Sequence, residues 1–414
     1  MLRQIAPPLL ASLVWTTTAC QPLPTSEGEG EGEGEGEGEG EGEGEDGHYA
    51  FASRFVAGES SVAYTGQAAR HLLLRELLAD IDGLDDDALA GQTTTQLVAR
   101  FAFFFDFKAD NGGTPDEPIA VTAFGAPLLQ TTVGEVGVAS LRDKLRDLDL
   151  GDPSPVLGFG DGTRTPSAVI DDVFGALAST LVTRQSTTPL TPDGAPIAVP
   201  SVDVDGHDWA RILEHFVQGS VFVSQASDDY LDDDATGKGL LSDHVVAVDG
   251  KPYTALEHAW DEAFGYFGAA RRYGTRDADD NAEGFIDDDG DGRADWLTEV
   301  CYGVARDAAL RDVDSVTGTN LGRASFDALL QGRALIAATP GPLSPADLDA
   351  LRALRDVAEE SWERAAAATL VHHTNTLLAL VDSVGAADGD GAGDGAPHDF
   401  VAHATAWSRL YGGV

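Results

Sequence analysis

Apolar residues along this chain recur mainly at helical spacing. In 67–81, Ala68, Leu72, Leu73, Leu77 and Leu78 share one face, and Gly83 stops the pattern. Pro166 opens a second helix over 167–182, with Val169, Val173, Phe174, Leu177 and Leu181 inward. Asp208 is a good N-cap for a third, carrying Trp209, Ile212, Leu213, Phe216 and Val217. Further helices fit 253–273, 325–337, 345–384 and 398–410; the longest opens Leu343-Ser344-Pro345-Ala346, a Ser cap with Pro in the first turn. Strand signals are sparse. The aromatic run 101–107 and the weakly alternating 118–124 would pair as one hairpin across Asn111-Gly112-Gly113, or 97–107 is another buried helix. The expectation is a mainly α protein: a helical bundle with long acidic loops at 150–166, 185–207, 274–295 and 385–397, with room for one short β-hairpin.

The N-terminus follows a different pattern. Arg3 precedes an apolar stretch over 5–15, interrupted by Pro7 and Pro8 and too short to span a bilayer. It ends Thr17-Thr18-Ala19-Cys20, small residues before a cysteine as in a bacterial lipobox, although Thr17 stands where Leu is common. Residues 1–19 therefore read as a signal peptide and Cys20 as a lipid anchor to the membrane, with ordinary signal cleavage as the alternative. Gln21 follows the cysteine, which by likeness to other bacterial lipoproteins points to the outer membrane. Glu and Gly then alternate over 27–45, ten Glu and nine Gly. Such a tract gains no helix stability and repels itself, so 20–47 is expected to be a disordered tether reaching at most about 60 Å. Residues 48–414 are left as a single helical domain with an acidic insertion near 274–299.

Charge narrows the function. The 414 residues carry 26 Lys+Arg against 70 Asp+Glu, a net −44. The first 46 residues account for only −10, so the folded part holds −34. Nucleic acid is excluded as a partner bound through basic patches, and so is electrostatic adhesion to anionic lipid. The folded part tolerates its self-repulsion in salt or binds cations. Two cysteines exclude a disulfide scaffold, and Cys301, beside Val300 and Tyr302, reads as a buried thiol.

Several segments carry a resemblance: Ser61-Val62-Ala63-Tyr64-Thr65-Gly66-Gln67, Phe216-Val217-Gln218-Gly219-Ser220-Val221-Phe222, Gly332-Arg333-Ala334 and His403-Ala404-Thr405-Ala406-Trp407. Most specific is the run from Tyr253 to Gly268, with His258-Ala259-Trp260-Asp261-Glu262-Ala263-Phe264-Gly265-Tyr266 at its centre. Together they resemble the bacterial envelope family catalogued as domain of unknown function four-eight-five-six, over nearly the whole chain after the tether. The resemblance implies an exported lipoprotein, encoded near imelysin-like proteins and outer-membrane receptors in settings of iron or other metal acquisition. Imelysin-like proteins carry His-x-x-Glu; here His258-x-x-Asp261 is only similar. The family's pair of histidines before the Trp is here Glu257-His258, and 274–299 is an acidic insertion relative to it.

Two constellations could carry chemistry. His258, Asp261 and Glu262 stand at i, i+3 and i+4, a spacing that suits a transition metal such as iron or zinc, given further donors from facing helices. His372, His373, His398 and His403 are available. Alternatively His258 is a core histidine and the carboxylates are solvated. In 287–295, Asp287, Asp289, Asp291 and Asp295 stand at positions one, three, five and nine of a calcium loop, with Gly292 at the turn. Position twelve is Thr298, and Glu299 comes one later, so the bidentate Glu is missing. Affinity is expected near 10⁻⁴–10⁻³ M, roughly that of extracellular modules. The acidic runs 85–87, 232–234 and 388–390 lack this spacing and read as solvated loops. No nucleophile elbow, zinc-protease motif or phosphate loop is present, and no catalytic residue is assigned. The sequence favours a metal-binding or accessory module in envelope metal acquisition. An imelysin-like hydrolase using Glu262 as base, or a calcium-stabilised structural surface protein, are the alternatives.

Overall fold

The computed structural model describes residues 47–107, 118–122, 126–313, 315–385 and 398–413. The proposed signal, Cys20 and the tether to residue 46 lie outside these, as do the Asn111-Gly112-Gly113 loop and the 388–390 run. All described residues fall within one compact unit, Gly32–Val414. They form thirteen α-helices: α1 Thr65–Asp82, α2 Asp86–Leu89, α3 Thr94–Phe105, α4 Val133–Val136, α5 Arg146–Asp149, α6 Pro166–Arg184, α7 Trp209–Val217, α8 Ala255–Phe267, α9 Ala278–Glu283, α10 Gly303–Asp312, α11 Leu321–Ala338, α12 Pro345–Gly385 and α13 Phe400–Gly412. Pairing is limited to isolated bridges among the described residues. No helix there is long and apolar enough to cross a membrane.

The expected helix starts are where local chemistry places them. Asp208 caps α7 by accepting from Arg211 N–H, and Thr165 caps α6 with Pro166 in its first turn. The hairpin is not formed. Residues 101–105 are the end of α3, whose Thr93–Gln96 capping box satisfies two orphan N–H groups at its start. Leu97, Phe101 and Phe105, four apart, put one apolar stripe into the core. Each buried ring contributes roughly 1.5–3 kcal/mol, and that burial outweighs the strand preference of the aromatic run. The 118–122 segment bridges elsewhere, Ala120 opposite Thr132, with Val121 N–H donating to Thr131 O at 2.9 Å.

α1 is buried on nearly every side, including Gln67, Arg70, His71 and Glu76. It packs on α3, α4, α7 and α8; α8 packs on α11, and α11 on α12. α8 stops earlier than the apolar pattern because Gly268 adopts φ 81°. A side chain there would also press on Tyr302 and His71. Beyond α7 the chain winds as two π-helical stretches, Gln218–Val223 and Ala226–Tyr230.

Candidate functional site

In the acidic loop, Asp287 Oδ1 accepts from Gly290 N–H at 2.8 Å and its Oδ2 from Gly292 N–H at 3.0 Å. Asp289 Oδ1 accepts from Asp291 N–H at 2.9 Å, and Asp291 Oδ1 from Arg293 N–H at 2.6 Å. These turns curl the backbone, and Gly290 and Gly292 take φ 76° and 78° to allow it. The residue that closes the loop is Glu299. Its Oε1 accepts from Asp288 N–H at 2.8 Å and its Oε2 from Asp295 N–H at 3.0 Å. Ligand oxygens of Asp287, Asp289 and Glu299 all come within 4.8 Å of one another, and no other such group of three exists among the described residues. Glu299 is buried, and desolvation holds its carboxyl above the ordinary range despite those N–H donors.

Asp291 and Asp295 do not join that group. Asp295 is engaged by Gln130 Nε2 at 2.9 Å, Leu297 N–H at 2.9 Å and the Thr298 hydroxyl at 2.5 Å. Asp288 instead pairs with Arg276 at 2.5 Å. The loop is fixed to the body of the protein: Ala294 N–H donates to Pro127 O at 2.8 Å and Leu129 N–H to Ala294 O at 2.9 Å. Trp296, fully buried, donates from Nε1 to Gln130 O at 3.2 Å.

The central helix sends its three candidate side chains apart. Asp261 is fully buried: its Oδ1 accepts from the Tyr49 hydroxyl at 2.8 Å and Arg333 Nε at 2.9 Å, its Oδ2 from Ala63 N–H at 3.2 Å. Burial raises its carboxyl above the usual range, against the pull of Arg333 and these donors. Arg333 also donates to Glu257 at 3.3 Å and to the Ser61 hydroxyl at 2.6 Å. Glu257 in turn caps α8 through Thr254. Glu262 accepts from Gln67 Nε2 at 2.8 Å and lies 3.7 Å from His258 Nε2. His258 stacks on Tyr253, with Nδ1 3.2 Å from Ala63 O. Thus His258 and Glu262 meet, while Asp261 serves a buried ion pair.

Sequence reasoning missed Arg333, Tyr49 and the closing role of Glu299. Gly332-Arg333-Ala334 was the available signal for the first: an Arg on the apolar face of a helix must find carboxylates. Cys301 is buried as expected, and burial pushes its thiol up to about 11. Of the runs expected to be solvated, Asp85 caps α2 and Asp233 pairs with Arg352 and Arg355 at 2.7 and 3.2 Å.

His71 gives this centre a pH dependence. It lies buried between Phe222 and Tyr302, with Nε2 3.1 Å from Gly265 O, and burial lowers it to about 4. The folded state keeps it neutral, while the unfolded chain takes a proton near 6.5. Its stabilising contribution is therefore complete above pH ~6.5 and lost as pH falls towards ~4, about 3 kcal/mol for the whole span. Urea midpoints measured from pH 7 to 4.5 should fall less steeply in His71→Gln than in the parent. Parallel curves would remove His71 as a cause.

The fold is thus a mainly α-helical one, built round a buried Arg–carboxylate centre with an acidic loop clipped to its side. Residues 199–337, from before α7 to α11, match the family model described as Domain of unknown function (DUF4856). No curated protein and no solved structure matches the chain. The matched segment supplies Glu257, Asp261 and Arg333, whereas Tyr49, Ser61 and Ala63 come from outside it.

Proposed function

We propose that this protein is a non-catalytic helical module of the cell envelope whose acidic loop holds a calcium ion. The observation that carries the reading is the convergence of Asp287, Asp289 and buried Glu299 within 4.8 Å. Three carboxylates at one point repel one another, and a hard oxygen-seeking cation relieves that repulsion. Glu299 stands in for the acid that the twelve-residue pattern lacks at Thr298. A role for the ion in stability follows from the loop's place, clipped to residues 127–130 between α9 and α10. The signal-like start and Cys20 support export and anchoring at the outer membrane. The likeness to envelope proteins supports an accessory role in metal acquisition, beside a receptor or an imelysin-like partner.

A transition-metal or hydrolytic centre on α8 has less support. The Asp261 oxygens are taken by Arg333, Tyr49 and Ala63, which leaves only His258 and Glu262. Two ligands on one helix do not make a catalytic zinc or iron site.

Thermal unfolding of the full chain in calcium and in chelator tests the reading. Calcium at a hundredfold excess over its Kd should stabilise by about 2.7 kcal/mol, seen as a rise in Tm. Glu299→Gln and Asp289→Ala should each abolish most of the rise. Superimposable melts with and without calcium would reject the site.

A further inference from the structure

Two histidines flank the start of α13, where local bonds fix the turn. Asp399 caps the helix, its Oδ1 accepting from Ala402 N–H at 2.9 Å, and His403 N–H donates to Asp399 O at 3.0 Å. Ala404, the next residue, is buried against Ile197 and Val202, and the Phe400 ring lies against Gly206. His403 is thus held half-buried on a packed helix, while His398, five residues earlier, is exposed.

Their rings meet through nitrogen. His398 Nε2 lies 3.2 Å from His403 Nδ1, with ring centroids 5.2 Å apart and planes at 62°. Elsewhere His373 meets His215 and His372 edge to face, at centroid separations of 5.6 and 5.3 Å. Histidine nitrogens sit about 2.0–2.1 Å from a zinc-like ion, so two of them 3.2 Å apart subtend about 100° at it. That angle falls between the ~90° of square-planar or octahedral coordination and the ~110° of tetrahedral coordination. One ion can therefore be shared by both rings at their present separation. As a hydrogen bond the same contact does little for the fold, because one partner is exposed to water.

The surroundings favour a cation. Burial, and then the charge of His398, lower His403 below the usual 6.5, so at neutral pH its ring is uncharged and keeps a lone pair for a metal. The chain's 70 acids against 26 bases draw cations to its surface. Among the described residues no third His, Cys, Asp or Glu completes the group at His398 and His403. The remaining coordination positions are left to water or to an incoming ligand, as in open rather than closed metal sites.

We propose that His398 and His403 form a surface site for a divalent transition-metal ion of nitrogen preference, copper(II) or zinc in kind, held exchangeably by two imidazoles. The site shares no residue with the acidic loop and does not rest on calcium there. Copper(II) binds imidazole most tightly among such ions and is the probe of choice.

Titration of the full chain with copper(II) chloride tests it, with calcium chloride present and in a Cys20→Ser background, so that no thiol but buried Cys301 competes. Calorimetry should show one tightest site, weakened at least about tenfold by His398→Gln and by His403→Gln alike. Electron paramagnetic resonance of the one-equivalent complex should show coupling to two imidazole nitrogens in the parent and to one in either variant. Both variants should keep the parent's Tm without metal, because the pair sits at the surface. His372→Gln and Glu299→Gln should leave copper binding unchanged, the latter separating this site from the acidic loop. Absence of copper binding by the parent, parent-like affinity in either His398→Gln or His403→Gln, or an equal loss in His372→Gln would overturn the proposal.

Discussion

Replacing Arg333 by Met is expected to destabilise the folded part by about 3–5 kcal/mol. Arg333 is fully buried and holds Asp261, Glu257 and Ser61, with its guanidinium 4.8 Å from the centre of the Phe51 ring. Met restores much of the volume and none of the charge. Two buried carboxylates would then face each other uncompensated, and their desolvation is no longer offset. Because Tyr49 and Ser61 lie in the stretch before α1, that stretch should detach first, and hydrogen exchange at 49–63 should rise. Adding Asp261→Asn to Arg333→Met should recover part of the loss, because the pair acts as a unit. Urea unfolding at neutral pH measures both; a loss under about 1 kcal/mol would mean that the ion pair is not what holds this centre.

Gly332→Ala should also destabilise the folded part, although Ala favours a helix over Gly by about 1 kcal/mol. A Cβ at Gly332 would overlap Trp260 Cζ2 and lie 2.6 Å from Cε2 and Cη2. The indole cannot retreat: it is fully buried, and its Nε1 is tied to Leu329 O at 2.8 Å. α8 and α11 must therefore separate, at a cost of about 1–3 kcal/mol or more beyond the propensity gain. In a Trp260→Phe background the same substitution should cost at least ~1 kcal/mol less, because the outer ring is gone. Equal costs in the two backgrounds would place the strain elsewhere.

The spacing of His258, Asp261 and Glu262 looked like one face because three and four residues bracket a helical turn. At about 100° per residue, Asp261 falls ~60° to one side of His258 and Glu262 ~40° to the other. That difference is small on a helical wheel and decisive in a packed centre. It turns Asp261 towards Arg333 and leaves His258 and Glu262 beside α1. The acidic loop shows the same limit. The Asp-x-Asp-x-Asp-Gly spacing is local and its turns are visible in sequence. Glu299 reaches Asp287 and Asp289 only because the chain from Asp295 folds back, a course set by Trp296 in the core and Gln130 alongside.

What the sequence determined by itself was local. Apolar periodicity placed the helix faces; Asp208, Pro166 and Gly83 marked ends, since caps act within one turn. The aromatic run 101–107 was ambiguous because strand preference and a four-residue apolar repeat coincide there, and burial against α6 decided for helix. Tertiary structure alone decided which polar groups meet. The partners of Arg333 lie 72, 76 and 272 residues away, and no periodicity encodes such distances. Their selection follows from desolvation: once α8 and α11 close on each other, every buried charge must find its opposite.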